Sequence, residues 1–181
     1  MKLICKITDE DLGFSKIRFN NPRHRYAARG LVFNKEGQIA ILNKSKKNEF
    51  KLVGGGIEKS EKGETAFKRE VLEETGCQIE IDKFLGICEE EKSLDNFKQT
   101  SYVYVAHVTN NTNSQHFTYK EQYEGSKLIW CDINEAMRLI QESTNKLLPS
   151  NLDGPYSVYH TKFVIKRDYE ILKYYVENII K

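Results

Sequence analysis

Glu70, Glu73 and Glu74 stand at positions i, i+3 and i+4. On a helix that spacing sends all three carboxylates out of one face. Like charges so spaced oppose the helix by about 0.2–0.5 kcal/mol per pair. Glu73 and Glu74 also fall in what reads as the last turn, where the macrodipole disfavours an anion by about 0.3–1 kcal/mol. A helix selected for stability alone would carry Lys or Arg there. The cluster therefore asks for a positive partner. Lys68 and Arg69 supply part of it, and a hard divalent ion such as Mg²⁺ or Mn²⁺ suits the remaining oxygens. A bare E-x-x-E-E is also compatible with a solvated acidic helix end, so the surroundings matter. Upstream lie Gly54-Gly55-Gly56 and Glu61, and downstream lies Gly76. Three adjacent glycines each cost backbone entropy, which points to a sharp turn or a close approach to a ligand.

The elements that must hold these residues can be read from periodicity. A helix is expected over 63–75, with Ala66, Phe67 and Val71 as its apolar stripe and Gly76 as its left-handed stop. Residues 1–20 read as a short strand, a turn near 9–13 and a link. Tyr26–Phe33 reads as a strand, Asn34–Gly37 as a hairpin turn and Gln38–Leu42 as the returning strand. A polar loop follows, then a short strand over 50–53. Strands are expected over Ile79–Leu85, Gly86–Glu90, Thr100–Val108 and Leu128–Cys131, with a polar loop over 110–116. A helix over 134–143 is started by Asp132 or Asn134. Beyond an irregular linker at 144–157, Val158, Ile165, Leu172, Val176 and Ile179 give helical spacing over about 158–180. This order fits an α/β class (α+β mixed), a mixed sheet with helices on both faces. The chain reads as one domain over 1–181, with its core at about 22–143.

Composition excludes several classes. In the 181 residues, 28 Lys+Arg against 26 Asp+Glu leave a net charge of +2, which gives no support for a nucleic-acid-coating surface. No apolar run approaches the roughly 20 residues of a membrane span. The start, Met1 to Lys6, lacks a signal-peptide apolar stretch. A soluble, cytoplasmic protein is expected. Cys5, Cys77, Cys88 and Cys131 show no C-x-x-C spacing and read as half-buried thiols. Among the scattered histidines, His107 reads as a satisfied core group. Arg is scarce, yet Arg23, Arg25 and Arg29 cluster at the first core strand. Their forked guanidinium groups suit phosphate, although ordinary surface arginines look the same in sequence. Tyr102, Tyr104, Phe117, Tyr119 and Tyr123 have the right rings to stack on a base, but alternation assigns many of them to a core.

From Gly55 the chain reads G-x5-E-x7-R-E-U-x-E-E-x-G-U, with U apolar. The fixed places are filled by Gly55, Glu61, Arg69, Glu70, Val71, Glu73, Glu74, Gly76 and Cys77. This resembles the Nudix box of the Nudix hydrolases, with Cys77 standing for the usual Ile, Leu or Val. Val53, Ser60 and Lys62 depart from common family choices at the loop and helix cap. The resemblance extends over about Arg25 to Ile140 and leaves the last 40 residues unexplained. It implies a Nudix-like α/β/α sandwich to which the C-terminal helix is an addition. It also implies a metal-dependent hydrolase, using Mg²⁺ or Mn²⁺, that cleaves a nucleoside diphosphate linked to another group. Possible substrates are a nucleoside triphosphate, ADP-ribose or a nucleotide sugar. By the same resemblance Glu70 and Glu74 are metal ligands, and Glu73 is a third ligand or acts through water. Glu70, Glu73 and Arg69 form the catalytic set, with Arg69 orienting the carboxylates alongside Glu61. Gly55 and Gly56 let the main chain approach the substrate, with Arg25 and Arg29 as phosphate contacts. The general base is either a box glutamate or a distant one, with Glu89 to Glu91, Glu121 and Glu124 as candidates. Two other readings stand beside this one. One is a non-catalytic, nucleotide-binding sensor. The other is an interaction protein whose C-terminal helix docks a partner or a second copy, and a homodimer is compatible with catalysis.

Overall fold

The structure is a computed structural model and describes residues 1–180. Its strands are β1 (Leu3–Thr8), β2 (Arg23–Phe33), β3 (Ile39–Lys44), β4 (Glu49–Gly56), β5 (Cys77–Lys92), β6 (Phe97–Asn111) and β7 (Ser126–Cys131). Its helices are α1 (Gly63–Thr75), α2 (Tyr119–Tyr123), α3 (Ile133–Ser143) and α4 (Ser157–Asn178). Among the described residues the strands form one mixed sheet in the order β1-β5-β6-β2-β4-β3-β7, with β2 and β3 also paired. β1 runs parallel to β5 and β2 parallel to β6, while the other pairs are antiparallel.

Strand alternation divides the core between two helix layers. Ala28, Val32, Leu42, Val53 and Tyr104 join Phe67 and Val71 of α1 in one cluster. Their neighbours in sequence, Leu31, Ile41, Leu52, Val103 and Val105, join Ile140 of α3 and Ile165, Ile171 and Leu172 of α4 in the other. Successive residues thus feed opposite faces, as a sheet covered on both sides requires. The expected α/β/α layering is what forms.

Several element boundaries differ from the sequence expectation. Residues 79–90, read as two strands, belong to one long β5 that keeps pairing with β6 through register shifts at 81/83 and 84/86. β2 starts at Arg23, because parallel pairing with β6 recruits Arg23 opposite Phe97 and Arg25 opposite Gln99. The stretch before β7 contains α2, started by a capping box in which Thr118 and Glu121 bond reciprocally. Asp132 is the N-cap of α3, accepting from the N–H groups of Asn134 and Glu135, both at 3.0 Å. Gly76 ends α1 in the left-handed conformation, its N–H donating to Leu72 O. His107 is not a core group. It is exposed and bonds Asp82 at 2.7 Å, while its strand neighbours Ala106 and Val108 pack into the α1 layer. Cys77, Cys88 and Cys131 are buried and Cys5 partly so, all as free thiols. No helix of the described residues is long and apolar enough to cross a membrane.

Ion pairs give the folded state a defined acid limit. Hydrogen bonding from Lys98, supported by Lys6, holds the Glu91 carboxyl at about 2, against an ordinary 4.5. Burial pushes the Asp153 carboxyl up, but hydrogen bonds from Lys120 and Lys47 outweigh it and hold that group at about 2. Burial likewise opposes ionisation of Glu90, yet Arg167, Lys92 and Arg29 keep it well below the carboxylate range. A depressed native pKa contributes stability above the unfolded value and loses it as pH falls through the native value. Glu74, raised by burial, works in the opposite direction. The melting temperature is expected to fall progressively between pH 4.5 and about 2. A flat profile over that window in thermal melts would count against these pairs.

Candidate active site

The glycine run forms the end of β4, packed between β2 and α1. A β-carbon on Gly55 would lie 2.3 Å from Glu70 Oε2, and one on Gly56 would lie 2.4 Å from Arg25 Nη2. A box carboxylate thus sits against one glycine and a guanidinium against the next, while Gly54 is the position that requires glycine: its φ is 126° and a β-carbon there would lie 2.4 Å from the main-chain oxygen of Ala28. Gly54 contributes through its main chain, its N–H donating to Glu74 Oε2 at 2.6 Å.

Arg69 organises the carboxylates. Its Nε and Nη2 grip Glu61 in a two-pronged contact at 3.1 and 3.0 Å. Nη1 reaches Glu70 Oε1 at 2.8 Å and Glu73 Oε2 at 3.3 Å, and Nη2 also donates to Gly56 O at 3.0 Å. One planar fork thus ties the loop, the helix and the end of β4 together. The hydrogen bond from Arg69 lowers the Glu61 pKa, and the reciprocal bond raises that of Arg69.

Glu74 is buried. Its carboxylate accepts from Lys51 Nζ at 2.8 Å, and the same ammonium donates to Gly54 O at 3.2 Å. Burial raises the Glu74 pKa despite Lys51. A cation thus already sits among carboxylate and carbonyl oxygens. Among the described residues, no three Asp, Glu, His or Cys side chains converge as a ready-made metal cage. The donor chemistry nevertheless fits a hard divalent ion: the carboxylates of Glu70 and Glu74 and a main-chain carbonyl, all oxygen, at one end of one cleft.

That cleft, of about 520 Å³, brings together Gly54 to Gly56, Arg25, Arg29, Glu70, Glu74 and Glu121. Glu73 does not line it and lies more open to solvent, on Arg69. Glu124 is buried and bound to Lys44 at 2.7 Å, whereas Glu121 faces the cleft at the start of α2. Glu90 is buried under α4, and Glu91 is held by lysines. Tyr104 packs on Phe67 in the core. Tyr102 joins His24 and Tyr26 in a stack at an adjoining cleft that shares Arg23 and Arg25 with the first.

Other lining residues are not singled out by the sequence reading. Lys44, Lys47, Lys51 and Lys92 line the same cleft, as do Thr161, Val164 and Arg167 of α4. Arg167 and Asp168 read in the sequence as ordinary polar residues of a helix, and only the fold shows them buried.

Comparison with known proteins adds the following. The sequence profile of the NUDIX domain family matches residues 23–150. Over 66 residues the chain is 33% identical to a MutT-like protein from Streptomyces ambofaciens. That stretch covers 36% of this chain and 43% of that protein, less than half its length. Among solved structures, a NUDIX hydrolase from Nitrosomonas europaea superposes with a TM-score of 0.55 at 15% identity, covering 77% of this chain and 90% of its own. A MutT protein from Methanosarcina mazei Go1 gives 0.48 at 19% identity, over 64% and 82% of the two chains. At such identity the Nitrosomonas structure bears on the fold alone.

Proposed function

The chain belongs to the NUDIX family, and on that footing we propose that it is a divalent-metal-dependent hydrolase of a nucleoside diphosphate linked to another group X. The observation that carries this is the meeting of Glu70 and Glu74 with Gly54 to Gly56 in a cleft also lined by Arg25 and Arg29. Carboxylates on one side and guanidinium groups on the other suit a polyanion bound through a cation.

Glu70 and Glu74, with a main-chain carbonyl at Gly54, would hold Mg²⁺ or Mn²⁺, and Glu73 would act through water. When bound, that ion cancels charge developing on phosphoryl oxygens and lowers the pKa of a water. Arg69 keeps Glu70 aimed, with Glu61 fixing the fork from the far side. Arg25, whose guanidinium lies against Gly56, takes the phosphate oxygens, and Gly55 and Gly56 let the main chain lie close to the diphosphate. Glu121 is the preferred distant base. It faces the cleft, and one of its oxygens is steadied at 2.8 Å by both the N–H and the hydroxyl of Thr118. Glu124 is less suited, because its carboxylate is buried on Lys44. Water attacks one phosphorus, its proton passes to the base, and the P–O–P bond breaks to give a nucleoside monophosphate and phosphorylated X. We take the protein to act in the cytoplasm on a free small-molecule nucleotide, with residues 1–181 working as one domain, alone or as a homodimer.

The test is a panel of nucleoside triphosphates, ADP-ribose and nucleotide sugars with Mg²⁺ or Mn²⁺, read as released nucleoside monophosphate or phosphate. Metal-dependent turnover of at least one class is expected. Tight binding with no turnover anywhere would favour a sensor role instead.

A further inference from the structure

Charge is spread unevenly over the cleft. On one side every lysine has a carboxylate. Lys44 reaches Glu124 at 2.7 Å, Lys47 reaches Glu49 at 2.9 Å and Asp153 at 2.8 Å, and Lys51 reaches Glu74 at 2.8 Å. On the side built by β2, β5 and α4 that matching fails. Arg23, Arg25 and Arg29 have no carboxylate within 4.0 Å among the described residues. Arg29 is nonetheless only 5% exposed, and its Nε donates to the Ser101 hydroxyl at 3.2 Å. Beside it, Lys92 and Arg167 share the single carboxylate of Glu90, at 3.0 and 2.9 Å. Arg167 also holds Asp168, whose second oxygen is taken by the N–H of Leu52 at 2.9 Å. Nη2 of Arg167 is buried without a partner. Burial and the neighbouring Arg167 push the Arg29 pKa down to about 10, so this guanidinium sits where its charge is disfavoured.

A buried cation without a counter-ion is costly unless a ligand completes it. We infer that the β2/β5/α4 side of the cleft is a second anion subsite, distinct from the diphosphate position, that takes a phosphate or carboxylate carried by X. Arg29 and Lys92 are the contact residues. Arg167 and Glu90 are positioning residues that hold Lys92 against the sheet. The inference rests on the hydrolytic reading above and narrows it. The preferred substrates are nucleotides whose X is itself anionic, such as a further phosphate or a phosphorylated sugar, rather than a neutral sugar. α4, which lies beyond the stretch matched by the family profile, then helps to select the substrate.

The test compares substrates that share one nucleoside diphosphate and differ only in whether X is neutral or anionic, with Mg²⁺ present. Wild type is expected to favour the anionic partner by about 10-fold or more in kcat/KM, mainly through KM. Lys92→Met should cut kcat/KM for the anionic substrate by about 10–100-fold while changing the neutral one by less than about 3-fold, and Lys92→Arg should restore most of the loss. Equal or better turnover of the neutral substrate by wild type, or equal losses on both in Lys92→Met, would overturn the subsite. If Lys92→Met does not fold, the wild-type ratio decides. If nothing is cleaved, the hydrolytic reading fails by itself. Calorimetry with inorganic tripolyphosphate then decides the subsite: binding that Lys92→Met weakens by about 10-fold or more and Lys92→Arg preserves supports it, whereas no binding, or binding unchanged in Lys92→Met, overturns it.

Discussion

Glu70→Gln is expected to lower kcat on every substrate by about 10²–10³-fold, the scale of losing a principal electrostatic group at a developing charge. The change removes charge but almost no volume. Glu70 sits over Gly55, accepts from Arg69 at 2.8 Å and faces the cleft. A glutamine oxygen can still accept from Arg69, but it cannot supply the negative charge that holds a divalent cation. The fold has little to lose. Arg69 keeps its two contacts to Glu61 and its contact to Gly56 O. The melting temperature should therefore move by no more than about 3 °C. Steady-state kinetics on the purified variant, with circular dichroism as a folding control, gives the answer. Near wild-type turnover on all wild-type substrates would remove Glu70 from the mechanism.

Arg167→Met should have the largest effect on stability. Arg167 is 1% exposed and bridges Glu90 of β5 and Asp168 of its own helix. Methionine fills much of the volume but leaves both carboxylates short of their main cation. Breaking a buried ion pair from one side costs about 3–5 kcal/mol, because the remaining charge stays desolvated. For a chain of this size that corresponds to a fall in melting temperature of roughly 6–20 °C. The effect should extend beyond α4, since Asp168 also holds the N–H of Leu52 in β4, the strand that ends in the glycine run. Urea unfolding measures it directly. A loss below about 1 kcal/mol would show that the network contributes little to stability.

What could be read from sequence, and what could not, follows from the range of each interaction. The spacing of Glu70, Glu73 and Glu74, the stop at Gly76 and the stripe of Ala66, Phe67 and Val71 are set within one helix. The 3.6-residue repeat and capping preferences therefore revealed that helix residue by residue, and it forms over Gly63–Thr75. Capping preferences likewise narrow the start of α3 to Asp132 or Asn134, and the fold makes Asp132 the cap. The strand over Tyr26–Phe33 is legible too, but only the packing shows that Leu31 and Val32 go to opposite layers. Local pattern could not rank Glu121 against Glu124. They sit three residues apart in one polar stretch, and only the fold turns one toward the cleft while burying the other on Lys44, 80 residues away. Nor could it show that Glu90 is a structural counter-ion, because its partner Arg167 lies 77 residues further along the chain. α4 is the clearest case. Its apolar periodicity announced a helix, but a buried Arg-Asp pair has no periodic signature. Which surface that pair would meet depended on how the sheet and helices closed on one another. Local sequence determined the acidic box and the helix that presents it. Tertiary packing alone decided which distant charges surround that box, because an ion pair requires proximity in space and places no constraint on separation along the chain.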